Sequence, residues 1–199
     1  MAAPVVPRHI LILQGHPERG AQRLCHALAR AYANGAREGG HQTETIDIAD
    51  LDFPLLHSKQ DWEHGTPPAP IVQVQAAIAR ADHLVLIYPL WLGCMPALLK
   101  GFLEQVLRPG FAISPLHDGM PRKLLQGKSA RIVVTMGMPG PVYRWYFGAH
   151  SLKSLKRNIL GFCGVSPIRD LVVGMVESAS EEQRQQWLRK LHQYGLGAM

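Results

Sequence analysis

Cysteine is scarce. Only Cys25, Cys94 and Cys163 occur in 199 residues, an odd number with no CxxC spacing. That excludes a disulfide framework and points to a reducing compartment, so a cytoplasmic protein is expected. Long apolar runs are missing too. No stretch reaches the roughly 18 apolar residues that a membrane span needs. The opening MAAPVVPRHILILQGHPERG holds one short apolar run, His9 to Leu13, flanked by Pro7 and Arg8. It lacks a small-residue cleavage site and reads as a first core strand rather than a leader.

Other absences narrow the chemistry. None of the ten histidines falls in an HExxH or pairs with a cysteine at ligand spacing, so no metal site is expected. No GxGxxG follows a strand, which argues against a dinucleotide-binding Rossmann unit. The net charge is +6, but the basic residues are spread out. The densest group, Lys153, Lys156 and Arg157, has no interleaved aromatics. That pattern suits an ordinary solvated surface, with small anionic ligands a better second reading than nucleic acid, which is not expected as a partner.

What is present is an alternation of strand and helix signals. His9–Gln14, His83–Tyr88 and Ala130–Thr135 are apolar runs of the kind covered on both faces of a sheet, and Ile168–Val173 is a further strand. Gln42–Ile48 is more polar and reads as an edge strand. Helices are predicted over 21–38, 70–81, 96–107, 149–160 and Ser180–Tyr194, the last capped by Ser180 with Glu181 and Glu182 in its first turn. Residues 50–69 read as an irregular excursion and 109–128 as a loop. Gly101 interrupts its helix at a cost of about 1 kcal/mol relative to Ala, which a close approach behind it would justify. The expected fold is a single α/β domain over 1–199, a doubly wound five-stranded parallel sheet of order 2-1-3-4-5.

In such a sheet, ligands bind at the carboxyl ends of the strands. Three loops meet there. The first, Gln14 to Arg23, has Gly15 and Gly20 and leads into a helix start, where free N–H groups favour an anion. It looks like half a P-loop, yet Ala21 and Gln22 stand where Lys and Ser or Thr would be needed, so nucleotide hydrolysis is disfavoured. Arg19 or Arg23 would add charge. The second loop, Tyr88 to Pro96, carries Leu90, Trp91, Leu92 and Met95 where turns usually carry small polar residues. Trp91 and Leu92 suit the wall of a flat aromatic ligand, with backbone groups of 90–93 for its rim; a core or dimer contact is the other reading of Trp91. The third, Thr135-Met136-Gly137-Met138-Pro139-Gly140, offers backbone N–H groups for the polar edge of a ring.

Read together, "ILQGHPERG", "YPLWLGCMPALLKGFLEQVL", "TMGMP" and "ILGFCGV" resemble, in order, the flavodoxin-like NAD(P)H:quinone oxidoreductases. The resemblance implies a non-covalent flavin, FMN or FAD, and NAD(P)H as co-substrate. It also implies a homodimer with a shared active site and ping-pong hydride transfer to a quinone-like acceptor. On it, His16, Arg19, Gly20, Ala21, Gln22 and Arg23 fall on the phosphate loop. Pro89, Leu90, Trp91 and Leu92 fall beside the isoalloxazine, with Thr135, Met136 and Gly137 on the third loop. Tyr143 or Tyr146, with His150, fall where a Tyr and a His face the pyrimidine edge; His150 also suits a helix cap. Ala21 and Arg23 depart from the family's Thr, Ser and Asn ligands. Some relatives look like ancillary subunits of potassium-efflux antiporters. That leaves a regulatory reading in which the basic helix meets a membrane transporter.

Overall fold

In a computed structural model, which describes residues 6–20, 22–115 and 121–199, five parallel strands form one sheet of order β2-β1-β3-β4-β5. They are β1 His9–Gln14, β2 Gln42–Asp47, β3 His83–Pro89, β4 Ser129–Thr135 and β5 Ile168–Val173. The helices are α1 Leu24–Glu38, α2 Lys59–His64, α3 Ala69–Arg80, α4 Ala97–Val106, α5 His150–Ser154, α6 Gly161–Cys163 and α7 Glu181–Leu196. The expected order and strand assignments match the structure. The polar β2 lies at one edge, none of its six residues fully buried, and β5 lies at the other.

Alternation along the strands divides the core in two. Leu11, Leu13, Leu84, Leu86, Ile132 and Val134 face α3, α4 and the helical stretch after residue 150. Ile10, Ile12, Val85, Ile87 and Val133 face α1 and α7. Each side chain points opposite to its neighbour, so one apolar strand feeds both layers.

Several boundaries differ from expectation. Helix α1 begins at Leu24, not at 21, because Gly20 has φ +63° and Arg23 is extended at φ −90°, ψ 164°. The excursion contains α2, capped by the Ser58 side chain accepting from the Asp61 N–H at 3.0 Å. Helix 149–160 instead runs on to Cys163 through a wide π-turn over Leu155–Leu160. Helix α7 has a capping box, with Gln183 and Ser180 each satisfying the other's backbone N–H. Gly101 has its predicted neighbour: a Cβ there would lie 2.6 Å from Leu55 Cδ2, from the excursion folded over α4. Among the described residues, no helix is long and apolar enough to cross a membrane.

Candidate active site at the carboxyl rim of the sheet

The parallel register brings the ends of β1, β3 and β4 side by side. The loops are tied to them by backbone hydrogen bonds. Gly15 donates to Ile87 O at 2.8 Å, Leu90 to Thr135 O at 2.7 Å and Met136 to Val173 O at 2.9 Å.

The second loop is a tight hairpin. Trp91 and Cys94 exchange both backbone bonds, at 2.8 and 2.9 Å. Leu92 and Gly93 between them have φ +46° and +74°, the signs of a type I′ turn. Glycine adopts that region freely; a leucine there is strained. The turn thrusts Leu92 into solvent and leaves Trp91 51% exposed. Trp91 is therefore a rim residue and not a core one. The Leu90 and Trp91 N–H groups are spent within the fold, so the backbone donors left at the tip are those of Leu92 and Gly93.

Trp91 faces the first loop. Its ring stands 6.4 Å from that of His16, at 78°. The His16 Nδ1 accepts from the Glu18 N–H at 3.2 Å, which places the proton of the neutral ring on Nε2. Burial, and then the neighbouring His26, lower the His16 imidazole below its usual value, so it is neutral at pH 7. Arg23 grips Glu18 through two bonds of 2.8 Å, and Arg19 Nε donates to Ala49 O at 2.5 Å. The two arginines thus brace the loop, and Arg23 brings a carboxylate with it. Gln22 is exposed, and Ala21 lies outside the described residues.

The start of α1 is open. Its N-cap, Arg23, makes no side-chain cap bond, and its first turn has no acidic residue. The His26 and Ala27 N–H groups donate to Arg23 O at 3.0 and 3.2 Å, so the end open to a ligand is the turn ahead of them. A Cβ on Gly20 would meet nothing within 4 Å. An uncapped helix end, an open glycine turn and an exposed indole on one rim fit a ring system that carries a phosphate. The residues present therefore fit a flavin.

The third loop corrects two expectations. Thr135 is buried, with its hydroxyl 3.2 Å from Cys25 Sγ, and Met136 is core. Both position the loop by packing, and both Met136 backbone groups are used, its oxygen accepting from Val176 N at 3.2 Å. Gly137 is exposed at the rim, near the Glu177 carboxylate. Pro89 and Leu90 are half-buried beneath the hairpin.

Tyr143 is also corrected. It is 2% exposed, with its hydroxyl 2.8 Å from Ser151 Oγ and accepting from Leu152 N at 3.3 Å. A hydroxyl already engaged in the core cannot serve a ligand on the rim. Tyr146 is 82% exposed beside Trp145, and His150 is exposed with its ring against Gly148. The sequence reading missed His26 and Asp47. His26 sits in α1 with its ring 5.6 Å from that of His16, and Asp47 Oδ2 lies 3.3 Å from its Nε2. The available signal was a carboxylate at the end of β2, on the same rim.

A separate apolar cleft of about 600 Å³ runs along α4, lined by Leu56, Trp62, Leu103, Leu107 and Phe162. It lies away from the three loops. The basic helix is partly neutralised: Asp170 pairs with Lys156 and with Arg144, the latter at 2.7 Å. Burial would raise the Asp170 carboxyl, but these two cations outweigh it and hold it below the usual range.

The chain has recognisable relatives. The sequence model of the flavodoxin-like fold family matches residues 8–194. An uncharacterized NAD(P)H oxidoreductase of Haemophilus influenzae is 28% identical over 87% of this chain and 87% of its own length. An FMN-dependent NADH:quinone oxidoreductase of Burkholderia lata is 26% identical, covering 64% of this chain and 65% of its own. The solved NAD(P)H:quinone oxidoreductase of Methanothermobacter marburgensis superposes with a TM-score of 0.81 at 23% identity, over 97% of this chain and 98% of that one. At that identity it speaks for the fold alone.

Proposed function

The chain belongs to the flavodoxin-like fold family, and on that premise we propose that it is a flavin-dependent NAD(P)H dehydrogenase acting on a quinone or similar acceptor. The observation that carries the reading is the Trp91 hairpin set against the His16 loop and the uncapped start of α1. A bound flavin, FMN or FAD, would supply the two-electron chemistry that links NAD(P)H to the acceptor.

The chain's own residues divide the remaining work. The α1 N–H groups and the His16 Nε2–H bind phosphate. Trp91 and Leu92 form the wall and exclude water from one side of the ring. Leu92, Gly93 and Gly137 offer backbone donors to its polar edge. The exposed Tyr146 and His150 would hold a proton for the acceptor, the phenol as donor and the imidazole as a group able to carry positive charge.

Several finer points belong to the same proposal. The active protein is a homodimer with a shared site. Support comes from the unpartnered Trp145, 83% exposed, from Tyr146 and from the apolar cleft along α4. A single domain over 1–199 is part of the proposal, supported by the two core layers of the described residues sharing one sheet. The location is cytoplasmic, in keeping with three free thiols. The antiporter-subunit reading has no supporting feature, because Lys156 of the basic helix is already held by Asp170.

The test is spectroscopic. Purified protein is expected to be yellow, to release FMN or FAD on denaturation, and to oxidise NAD(P)H when menadione is added. A colourless protein, still inactive after both flavins are supplied, would rule the proposal out.

A further inference from the structure

A second cleft, about 340 Å³, lies between α1 and the end of β2, with Gln14, His26 and Asp47 among its lining residues. Its depth holds buried polar atoms with no partner. Gln14 is 2% exposed, and its Oε1 accepts from the His16 N–H at 2.6 Å, yet its Nε2 is unpartnered. Neither ring nitrogen of His26 has a hydrogen-bond partner, although Asp47 Oδ2 is within ion-pair distance. Such orphans are uncommon in folded proteins, and several in one cleft call for a polar occupant.

The lining says what kind. Arg30 makes none of the ion pairs of the described residues, and it borders the cleft on the α1 side. Arg37 joins it, oriented by Asn34 Oδ1 at 3.0 Å. Two guanidinium groups suit a phosphate. Asp47, at the end of its strand, suits sugar hydroxyls, as an acid after the second strand does in dinucleotide-binding folds. Ala29 and Ala33 line the cleft with small side chains and leave room. The volume is at the low end for ligand sites, enough for a sugar phosphate and too small for a whole dinucleotide.

We infer that the α1–β2 cleft binds a phosphorylated ribose, its phosphate on Arg30 and Arg37 and its hydroxyls on Asp47, His26 and Gln14. The same chemistry is found in a free sugar phosphate and in the adenosine end of a dinucleotide co-substrate; only the second source rests on the oxidoreductase reading. Because Gln14 also holds His16, an occupant would be felt in the phosphate loop.

Calorimetric titration of the full chain with ribose 5-phosphate tests this, with ribose and inorganic phosphate as controls and 2′,5′-ADP as the probe for a dinucleotide end. Ribose 5-phosphate is expected to bind about tenfold tighter than either control, and Arg30→Ala or Asn34→Ala, at exposed positions, to weaken it about tenfold. Tighter binding of 2′,5′-ADP assigns the cleft to a dinucleotide; weaker binding assigns it to a free sugar phosphate. Phosphate binding as well as ribose 5-phosphate does, or both variants binding like the parent, overturns the inference. Flavin titration of the same samples separates the two readings: flavin bound without sugar phosphate sinks the cleft alone, and sugar phosphate bound without flavin sinks the flavin site alone.

Discussion

The indole of Trp91 stands edge-on to the imidazole of His16, their ring centres 6.4 Å apart, although 75 positions separate them in sequence. That one relationship joins the apolar hairpin to the loop that leads into α1. Trp91→Ala is expected to weaken flavin binding about fivefold, on the scale of ~1 kcal/mol per aromatic contact. Stability should stay within about 0.5 kcal/mol, since the residue is half in solvent. Fluorescence titration and thermal melts read the two effects separately. A large loss of stability with unchanged affinity would mean that Trp91 acts as packing.

The two tyrosines should separate cleanly. Tyr143→Phe removes a buried hydroxyl that serves Ser151 and Leu152, and should cost about 1–2 kcal/mol of stability with turnover kept. Tyr146→Phe should leave stability alone and slow quinone reduction about tenfold, His150 supplying the remaining proton-donor capacity. Denaturant melts and steady-state rates on both variants decide; a reversed pattern would exchange their roles.

Leu92 holds a left-handed backbone that an asparagine adopts with less strain. Leu92→Asn should therefore raise stability by about 1 kcal/mol, or roughly 2–4 °C in Tm for a chain of this size. Acceptor affinity should fall, because the apolar tip is lost. A lowered Tm would show that the hairpin draws stability from contacts of the leucine itself.

His83 gives a pH signature. Burial first, then the cations Arg131, Arg8 and Arg169, lower its imidazole to about 4. Between about pH 6.5 and 4 the unfolded ring is protonated while the native ring stays neutral. The unfolded state thus binds more protons, and stability falls as pH falls through that window, by about 3 kcal/mol in all. Above it the ring contributes no slope; below it the loss is complete. His83→Gln should flatten the parent's decline in urea melts from pH 7 to 4. Parallel curves would assign the slope to other groups.

The sequence by itself determined the alternation of strands and helices, the two-faced core and the three rim loops, whereas the strand order was an analogy that the sheet bears out. Continuous apolar runs alternate their side chains by geometry, and the glycines and prolines between them mark the turns. It also foretold a close neighbour for Gly101, because an interior helical glycine calls for a reason. Only the tertiary structure decided which side chains the rim presents. Thr135, Met136 and Tyr143 carry suitable chemistry at suitable positions, yet each points into the core, since a strand end or a single turn sets direction by register and packing. The same holds for His26 and Asp47, which meet only because α1 and β2 lie on neighbouring parts of one sheet edge. Residue type and spacing fix what a segment can form; the direction of a given side chain depends on neighbours distant in the chain.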